Sequence, residues 1–408
     1  MLERIDDLER RLAALEARTP AAKSQAVSSQ GVTTPAAATN TPTSAAPAGT
    51  SASTSATESH PPILASILGP INVNGFVDTY YGYNFNQPHS RTSSFRLFDG
   101  PANQFSLNMM ELTVAKPPDT TASRLGYDLT FGFGNAMNVV NSASPGDVGF
   151  DQYLKEAYIS YLAPVGKGLQ IDFGKFVTPA GAEVIETKDN WNYSRSLLFN
   201  YAIPFFHFGL RAKYAFSDKY ALTGYVLNGW NNVIDNNTGK TYGASFAWTP
   251  NKKWSFTQNY LAGPELPSDN SNRRQLTDTV LSYAATSKLT LMANFDYARG
   301  DVLPTVARTV AWNGVAGYVR YAFNDRYALA TRFEYFDDRN GFNTGTAQHF
   351  HEFTGTFERT VAKRLITRWE YRRDMSNRAT FARGGTITDH QDTFTGGLVY
   401  VFDMKKLK

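Results

Sequence analysis

The chain has 408 residues, a formal net charge of +4 and no cysteine. The lack of cysteine excludes disulfides, thiolate chemistry and Cys-ligated zinc, and a small charge without a basic block gives no reason to expect a nucleic-acid partner. Aromatic residues make up 14% of the chain, yet no run approaches the roughly 18 apolar residues that a membrane-spanning helix needs.

The first 62 residues predict two segments that do not belong to a globular domain. Residues 1–18 predict a short coiled-coil helix, because apolar residues recur at spacings of three, four and three. These residues are Ile5, Leu8, Leu12 and Leu15. A helix this short is marginal alone, and an amphipathic surface helix is the alternative. Residues 19–62 are rich in Ala, Pro, Ser and Thr and predict a flexible, disordered linker.

The start of the chain shows no secretory signal peptide, because no charged residues precede an apolar core with a small-residue cleavage site. Processing of the chain, or a misassigned start codon, would explain this in an exported protein.

From Ile71 onward, apolar and polar residues alternate in segments of about 10 to 14 residues, which is the period of a β-strand with two different faces. In one segment, Leu365, Thr367, Trp369 and Tyr371 alternate with Arg364, Arg368, Glu370 and Arg372. The pattern predicts sixteen strands, near residues 72–86, 105–116, 124–134, 152–163, 168–177, 205–216, 219–229, 240–250, 252–262, 275–286, 288–299, 311–323, 325–337, 349–361, 363–374 and 392–402.

The predicted connections alternate between long and short along the whole chain. The first six are residues 87–104, 117–123, 135–151, 164–167, 178–204 and 217–218, and later tight turns fall at Pro250–Asn251, Ser287, Asn324–Asp325 and Ala362. A transmembrane barrel of the outer-membrane type has short periplasmic turns and long extracellular loops. The sequence therefore predicts an all-β, antiparallel, up-and-down β-barrel over residues 71–404.

Aromatic residues flank several of the tight turns. The stretches YAFSDKYAL at 214–222 and YAFNDRYAL at 321–329 each place Tyr and Phe before a polar turn and Tyr after it, and Trp248 and Trp254 flank a third turn. This arrangement indicates an aromatic girdle at a membrane surface. The alternative is the general preference of aromatic residues for strands.

The strand number decides which face points outward. Barrels of about 16 strands enclose water rather than a packed core, so the apolar faces should contact lipid. In the first strand, Val73, Val77, Tyr81 and Phe85 should face lipid, and Asn72, Asn74, Asp78 and Asn84 should face water. The pore-lining candidates are Asp78, Asp128, Arg211, Lys213, Arg320, Arg332, Glu334, Arg368, Glu370 and Arg372.

The longest predicted loop, residues 178–204, mixes charges with apolar stretches such as LLFNYAIP. Such a loop could fold into the mouth of a channel, where opposed charges select ions and solutes. The constriction candidates are Glu183, Glu186, Lys188, Asp189 and Arg195. The alternative is a solvated extracellular loop.

Four sequence runs carry a resemblance to a known family. They are GKFVTPAGAEVIE at 174–186, NYSRSLLFNYAIPFFHFGLR at 192–211, LNGWNNVIDNNTGK at 227–240 and LAGPE at 261–265. With most of residues 71–402, they resemble the putative β-barrel porin-2, or OmpL-like, family. The resemblance implies an outer-membrane porin, and some members begin with a short coiled coil. It implies no established substrate and no catalytic residues.

The sequence predicts no enzyme, cofactor or metal site. Nothing matches a nucleophile elbow or a metalloprotease helix. His349 and His351 form an H-x-H pair on one face, but two ligands make a weak metal site.

The favoured function is passive diffusion of small hydrophilic solutes or ions through a porin in the outer membrane of a Gram-negative-type bacterium. Lipid and lipopolysaccharide would surround the barrel, it could associate as a homo-oligomer such as a trimer, and the N-terminal helix and linker would be periplasmic. The alternative is a structural or adhesive barrel blocked by its own loops. The lumen-facing charges lean positive, which favours a mild preference for anions, and nearly balanced charge without selectivity is the alternative.

Overall fold

The computed structural model describes residues 71–142, 149–303 and 308–403. The predicted N-terminal coiled-coil helix and linker lie outside these residues. Within them, no helix is long and apolar enough to cross a membrane.

Sixteen antiparallel strands form one closed barrel, in which each barrel strand pairs with the barrel strands before and after it and the first strand pairs with the last. The strands are β1 (Asn72–Asn84), β2 (Gln104–Lys116), β3 (Leu125–Phe133), β4 (Leu154–Ala163), β5 (Leu169–Val177), β6 (Phe206–Ala215), β7 (Tyr220–Leu227), β8 (Thr241–Asn251), β9 (Trp254–Pro264), β10 (Arg273–Ala284), β11 (Leu289–Leu303), β12 (Arg308–Ala322), β13 (Tyr327–Asp338), β14 (Gln348–Val361), β15 (Leu365–Ser376) and β18 (His390–Asp403). All sixteen predicted strands are confirmed.

The long connections contain the remaining regular elements. They are helix α1 (Asn135–Asn141), 3-10 turns at Gly149–Tyr153 and Thr187–Asp189, a π-helical turn at Leu198–Ala202, and a hairpin of β16 (Phe381–Arg383) and β17 (Thr386–Thr388). The sequence pattern did not predict this hairpin. The turn predicted at Pro250–Asn251 lies two residues later, because Asn251 still pairs with Trp254.

Burial confirms the predicted orientation of the strands. In β1, Asp78, Tyr80 and Asn84 are buried inside the barrel, whereas Val77 and Tyr81 lie on the outer face. The outer face carries a broad set of exposed apolar side chains, including Leu129, Ile159, Phe173, Leu210, Phe246, Phe295, Val315, Phe333, Trp369 and Leu398. A ring of strands with such an outer surface is suited to lipid, because its closure leaves no unpaired backbone at an edge.

Aromatic rings cluster at the tight turns, as predicted. Trp254 stacks on Tyr283 with ring centroids 4.2 Å apart, and Tyr321 contacts Phe323 at 5.1 Å. Tyr327 stacks on Phe357 at 6.0 Å. These outward rings form a girdle at the end of the barrel that holds the tight turns.

Candidate functional site

The connection between β5 and β6 lies inside the barrel. We call residues 178–204 the inner loop. Each residue from 192 to 198 is at most 1% exposed, so this stretch is enclosed by the barrel wall and by other loops. Its hydrogen bonds show how a mostly irregular segment is held there, because buried backbone groups need partners.

Two wall carboxylates each bind a pair of consecutive inner-loop N–H groups. Glu370 accepts hydrogen bonds from the N–H groups of Tyr193 (2.5 Å) and Ser194 (2.9 Å). Glu334 does the same for Leu197 (2.7 Å) and Leu198 (2.6 Å). Hydrogen bonds to a charged carboxylate are among the strong ones in proteins, so these two side chains fix the centre of the inner loop to β13 and β15.

Asp78 on β1 anchors the inner loop by side-chain contacts. It accepts hydrogen bonds from the hydroxyl groups of Thr187 (2.6 Å) and Tyr193 (2.8 Å). Burial and the Asp78 carboxylate raise the pKa of the Tyr193 hydroxyl well above its ordinary value, so Tyr193 remains a donor at neutral pH. The Tyr193 ring lies against Gly397 of β18. A Cβ atom added at position 397 would be only 2.4 Å from the Cε2 atom of Tyr193.

Three wall arginines donate to inner-loop carbonyl groups. Arg332 binds the carbonyl of Ser194 at 2.8 Å, Arg368 binds that of Asn190 at 2.6 Å, and Arg372 binds that of Arg195 at 2.6 Å. Carboxylates on the wall or the inner loop neutralise all three. Arg332 pairs with Glu183 (2.7 Å) and Glu352 (2.8 Å), Arg368 with Glu358 (2.7 Å), and Arg372 with Asp374 (2.7 Å).

The five predicted constriction residues divide into two groups. Glu183 is buried against Arg332, Glu186 contacts Lys155, and Arg195 donates to the carbonyl groups of Tyr193 and Ile185. Burial alone would raise the pKa of Glu186, but the Lys155 ammonium holds it below its ordinary value. Lys188 and Asp189 pair with each other at 2.5 Å and keep 23% and 54% of their side chains exposed.

The ten predicted lining residues also divide into two groups. Six bind the inner loop, as described above: Asp78, Arg332, Glu334, Arg368, Glu370 and, through the carbonyl of Arg195, Arg372. The other four make no hydrogen bond to it among the described residues. Asp128 accepts from Thr130 (2.6 Å), Arg211 pairs with Asp172 (2.7 Å), Arg320 pairs with Glu358 (3.0 Å), and Lys213 is exposed.

An apolar layer covers the inner loop, and the sequence pattern did not predict it. Phe98, from the first long connection, lies 5.6 Å from Phe199 and 5.5 Å from Phe205 between ring centroids, and the Arg195 guanidinium lies 5.0 Å from the centre of the Phe98 ring. Trp312 of β12 donates its indole N–H to the carbonyl of Ala202 at 3.1 Å. Part of the barrel interior is therefore packed with apolar side chains.

Lys155 is the main functional candidate that the sequence pattern missed. Its ammonium contacts both Glu111 of β2 and Glu186 of the inner loop. The pairing of β3 with β4 shifts register between Thr130 and Phe131, and such a bulge leaves one extra residue unpaired and re-aims its side chain. Simple alternation cannot reveal this position of Lys155. A strict period of two places adjacent residues such as Lys155 and Glu156 on opposite faces of the strand, and the bulge interrupts that period.

The described residues contain no group of three His, Asp or Glu side chains that could hold a metal ion. His349 and His351 instead contact each other and the Tyr335 ring, with centroids 5.9 Å apart for the histidine pair.

A close approach at Gly397 gives a stability prediction. Valine at position 397 should displace the Tyr193 ring and lower the stability of the folded protein, since overpacking costs about 1–3 kcal/mol. Urea unfolding of Gly397→Val in lipid vesicles measures this loss. Gly396→Val is the matched control, because a Cβ at Gly396 meets nothing within 4 Å. Equal midpoints for the two variants would show that the Tyr193 contact contributes little.

Comparisons with known proteins agree with this architecture. The family model described as putative beta-barrel porin-2, OmpL-like, matches residues 70–402. None of the curated proteins matches the chain in sequence.

Several solved porin structures share the fold. The anion-selective porin from Comamonas acidovorans has 10% identity and a TM-score of 0.54, covering 82% of this chain and 99% of its own. The outer membrane channel DcaP of Acinetobacter baumannii has 12% identity and a TM-score of 0.54, covering 81% and 97%. Pseudomonas putida OprB has 13% identity and a TM-score of 0.54, covering 83% and 96%.

Family and fold together indicate a channel-type barrel in the outer membrane of a Gram-negative bacterium. The match extends over nearly the whole barrel, from residue 70 to residue 402. The chain therefore belongs to the putative beta-barrel porin-2, OmpL-like, family.

Proposed function

We propose that the protein is a passive diffusion porin for small hydrophilic solutes or ions, and that the inner loop narrows its lumen. The observation that carries this proposal is the attachment of the inner loop to the wall. Asp78, Glu334 and Glu370 hold it from β1, β13 and β15, and Asn294 of β11 accepts the N–H of Ala182 at 3.2 Å. A segment fixed to several strands inside a barrel reduces the cross-section available to solutes.

The path that remains open would run beside β5 to β8. Arg211 and Lys213 lie on this side, and the described hydrogen bonds between wall and inner loop include none from either side chain. The Arg211 guanidinium lies 4.8 Å from the Tyr158 ring centre and 4.5 Å from that of Phe176. The exposed residues of the inner loop are Val184 and Asp189.

The charges along this path favour at most weak ion selectivity. Arg211 is paired with Asp172, and most of the arginines counted in the sequence pattern are neutralised by carboxylates. Lys213 is exposed and belongs to no ion pair among the described residues, whereas Arg364 lies in the tight turn between β14 and β15 and not along this path. The mild preference for anions therefore stays a prediction that depends on Lys213.

A second candidate function is a closed structural or adhesive barrel. The very low exposure of residues 192–198 favours it, because their burial shows that the centre of the inner loop leaves little free space around itself. In this candidate the same contacts would hold the lumen shut.

Planar-bilayer recording of the full-length protein separates the two candidates. We expect stepwise openings of small conductance, because the inner loop occupies part of the lumen. A reversal potential measured under a salt gradient should show weak anion preference. Silent bilayers containing correctly inserted protein would support the closed barrel, and clear cation preference would reject the predicted selectivity.

Self-association as a trimer, contact with lipopolysaccharide and a periplasmic N-terminal helix belong to the same proposal. Cross-linking of the protein in its native membrane would test the oligomeric state.

A further inference from the structure

Exposed cations follow most of the rim at one end of the barrel. Six consecutive tight turns, from the one between β4 and β5 to the one between β14 and β15, each carry at least one exposed Lys or Arg. We call these eight residues the rim cations: Lys167, Lys219, Lys252, Lys253, Lys288, Arg326, Lys363 and Arg364. The exposed acidic residues of the same turns are Asp218 and Asp325.

The rim cations differ from the cations inside the barrel. Arg332, Arg368 and Arg372 are buried and paired with carboxylates. Within the part of the chain that the structure describes, no rim cation takes part in an ion pair. A ring of unpaired charges of one sign attracts charges of the opposite sign, and the attraction weakens as salt is added.

The aromatic girdle fixes the level of the rim cations relative to the membrane. Trp254 directly follows Lys253, and Tyr327 directly follows Arg326. The guanidinium of Arg359, on the outer face of β14, lies 5.8 Å from the centre of the Tyr327 ring. Girdle aromatics lie at the headgroup level of a bilayer, so cations one residue beyond them lie beside lipid phosphates. Short turns mark the periplasmic end of such a barrel.

We propose that the rim cations bind the headgroups of anionic phospholipids in the periplasmic leaflet of the outer membrane. The arrangement favours lipid over a localised partner, because the cations follow six successive turns and three of them, Lys219, Lys253 and Arg326, directly precede an aromatic residue of the girdle. An annulus of lipid meets every one of these turns, whereas a protein or a cell-wall strand would meet one side. This proposal does not depend on conductance, so a silent barrel would leave it intact.

Fluorescence quenching by brominated lipids tests the proposal at one turn. In the full-length Trp369→Phe protein, Trp248 and Trp254 remain as outward tryptophans flanking Lys252 and Lys253. In mixed vesicles we expect brominated phosphatidylglycerol to quench them more strongly than brominated phosphatidylcholine. Replacing both lysines by glutamine should reduce this preference for the anionic lipid. The reduction should be at most about fivefold for each lysine, because a single cation near an anionic surface strengthens binding by about that factor.

Two matched variants control for unrelated effects. Lys252→Arg with Lys253→Arg keeps the charge and should retain the preference, and Arg378→Gln removes an exposed cation from a long loop at the other end and should leave the preference unchanged. Equal quenching by both lipids in the Trp369→Phe protein would overturn the proposal. A second result would also overturn it: no lipid preference, together with sedimentation with purified peptidoglycan that requires the rim cations. That result would identify the cell wall as the partner.

Discussion

Replacing both Glu334 and Glu370 by alanine should raise the single-channel conductance several-fold. Each carboxylate binds two consecutive N–H groups of the inner loop. Glu370 binds those of Tyr193 and Ser194, and Glu334 binds those of Leu197 and Leu198. Each buried N–H group that loses its acceptor lowers the stability of the folded protein by about 1–3 kcal/mol. The inner loop should therefore leave its position and allow water to solvate these groups, which widens the lumen.

Proteolysis provides an independent measurement of the same change. Lys188 and Arg195 are trypsin targets within the inner loop, and Arg195 is only 1% exposed in the folded protein. We expect cleavage after Arg195 in the double alanine variant and no cleavage after Arg195 in the unmodified protein. Glutamine at both positions keeps one acceptor oxygen per side chain and should give intermediate conductance. If the double alanine variant has unchanged conductance and is still not cleaved after Arg195, these carboxylates do not hold the inner loop.

Arg332→Met should cause the largest loss of stability of any single substitution considered. The side chain of Arg332 is 0% exposed and lies between Glu183 of the inner loop and Glu352 of the wall. Methionine would leave two buried carboxylates without their cation, and breaking a buried pair in this way costs about 3–5 kcal/mol. The free energy of unfolding in urea, measured in lipid vesicles, should fall by that amount.

Arg320→Met is the matched control for this measurement. Its pair with Glu358 at 3.0 Å leaves 32% of the arginine side chain exposed, and exposed pairs contribute about 0–1 kcal/mol. A similar loss in both variants would mean that burial of the Arg332 network adds nothing beyond an ordinary surface pair.

The sequence was sufficient to predict the barrel, because a strand with one apolar and one polar face appears in the sequence as a strict alternation of apolar and polar residues. Arg368, Glu370 and Arg372 of β15 point inward and Trp369 points outward, as the alternation indicated. The order of long and short connections then fixed which end held the turns. These are local properties, and each can be judged within a window of a few residues.

The arrangement of the interior could not be predicted in the same way. Tyr193 meets Glu370, which is 177 residues away in sequence, only because the ring closes and brings β15 opposite the inner loop. Phe98 and Phe199 lie in irregular connections, whose positions no period describes. Lys155 was missed because a bulge changes the phase of its strand.

The order of the anchors along the chain also limits how the barrel can assemble. The inner loop is made between β5 and β6, but Glu334 and Glu370 belong to β13 and β15, and Asp78 belongs to the strand that pairs with the last one. During synthesis and insertion, the N–H groups of Tyr193, Ser194, Leu197 and Leu198 lack the carboxylates that they bind in the folded barrel until nearly the whole sheet exists. Docking of the inner loop therefore belongs to the final stage of maturation, when the first and last strands meet.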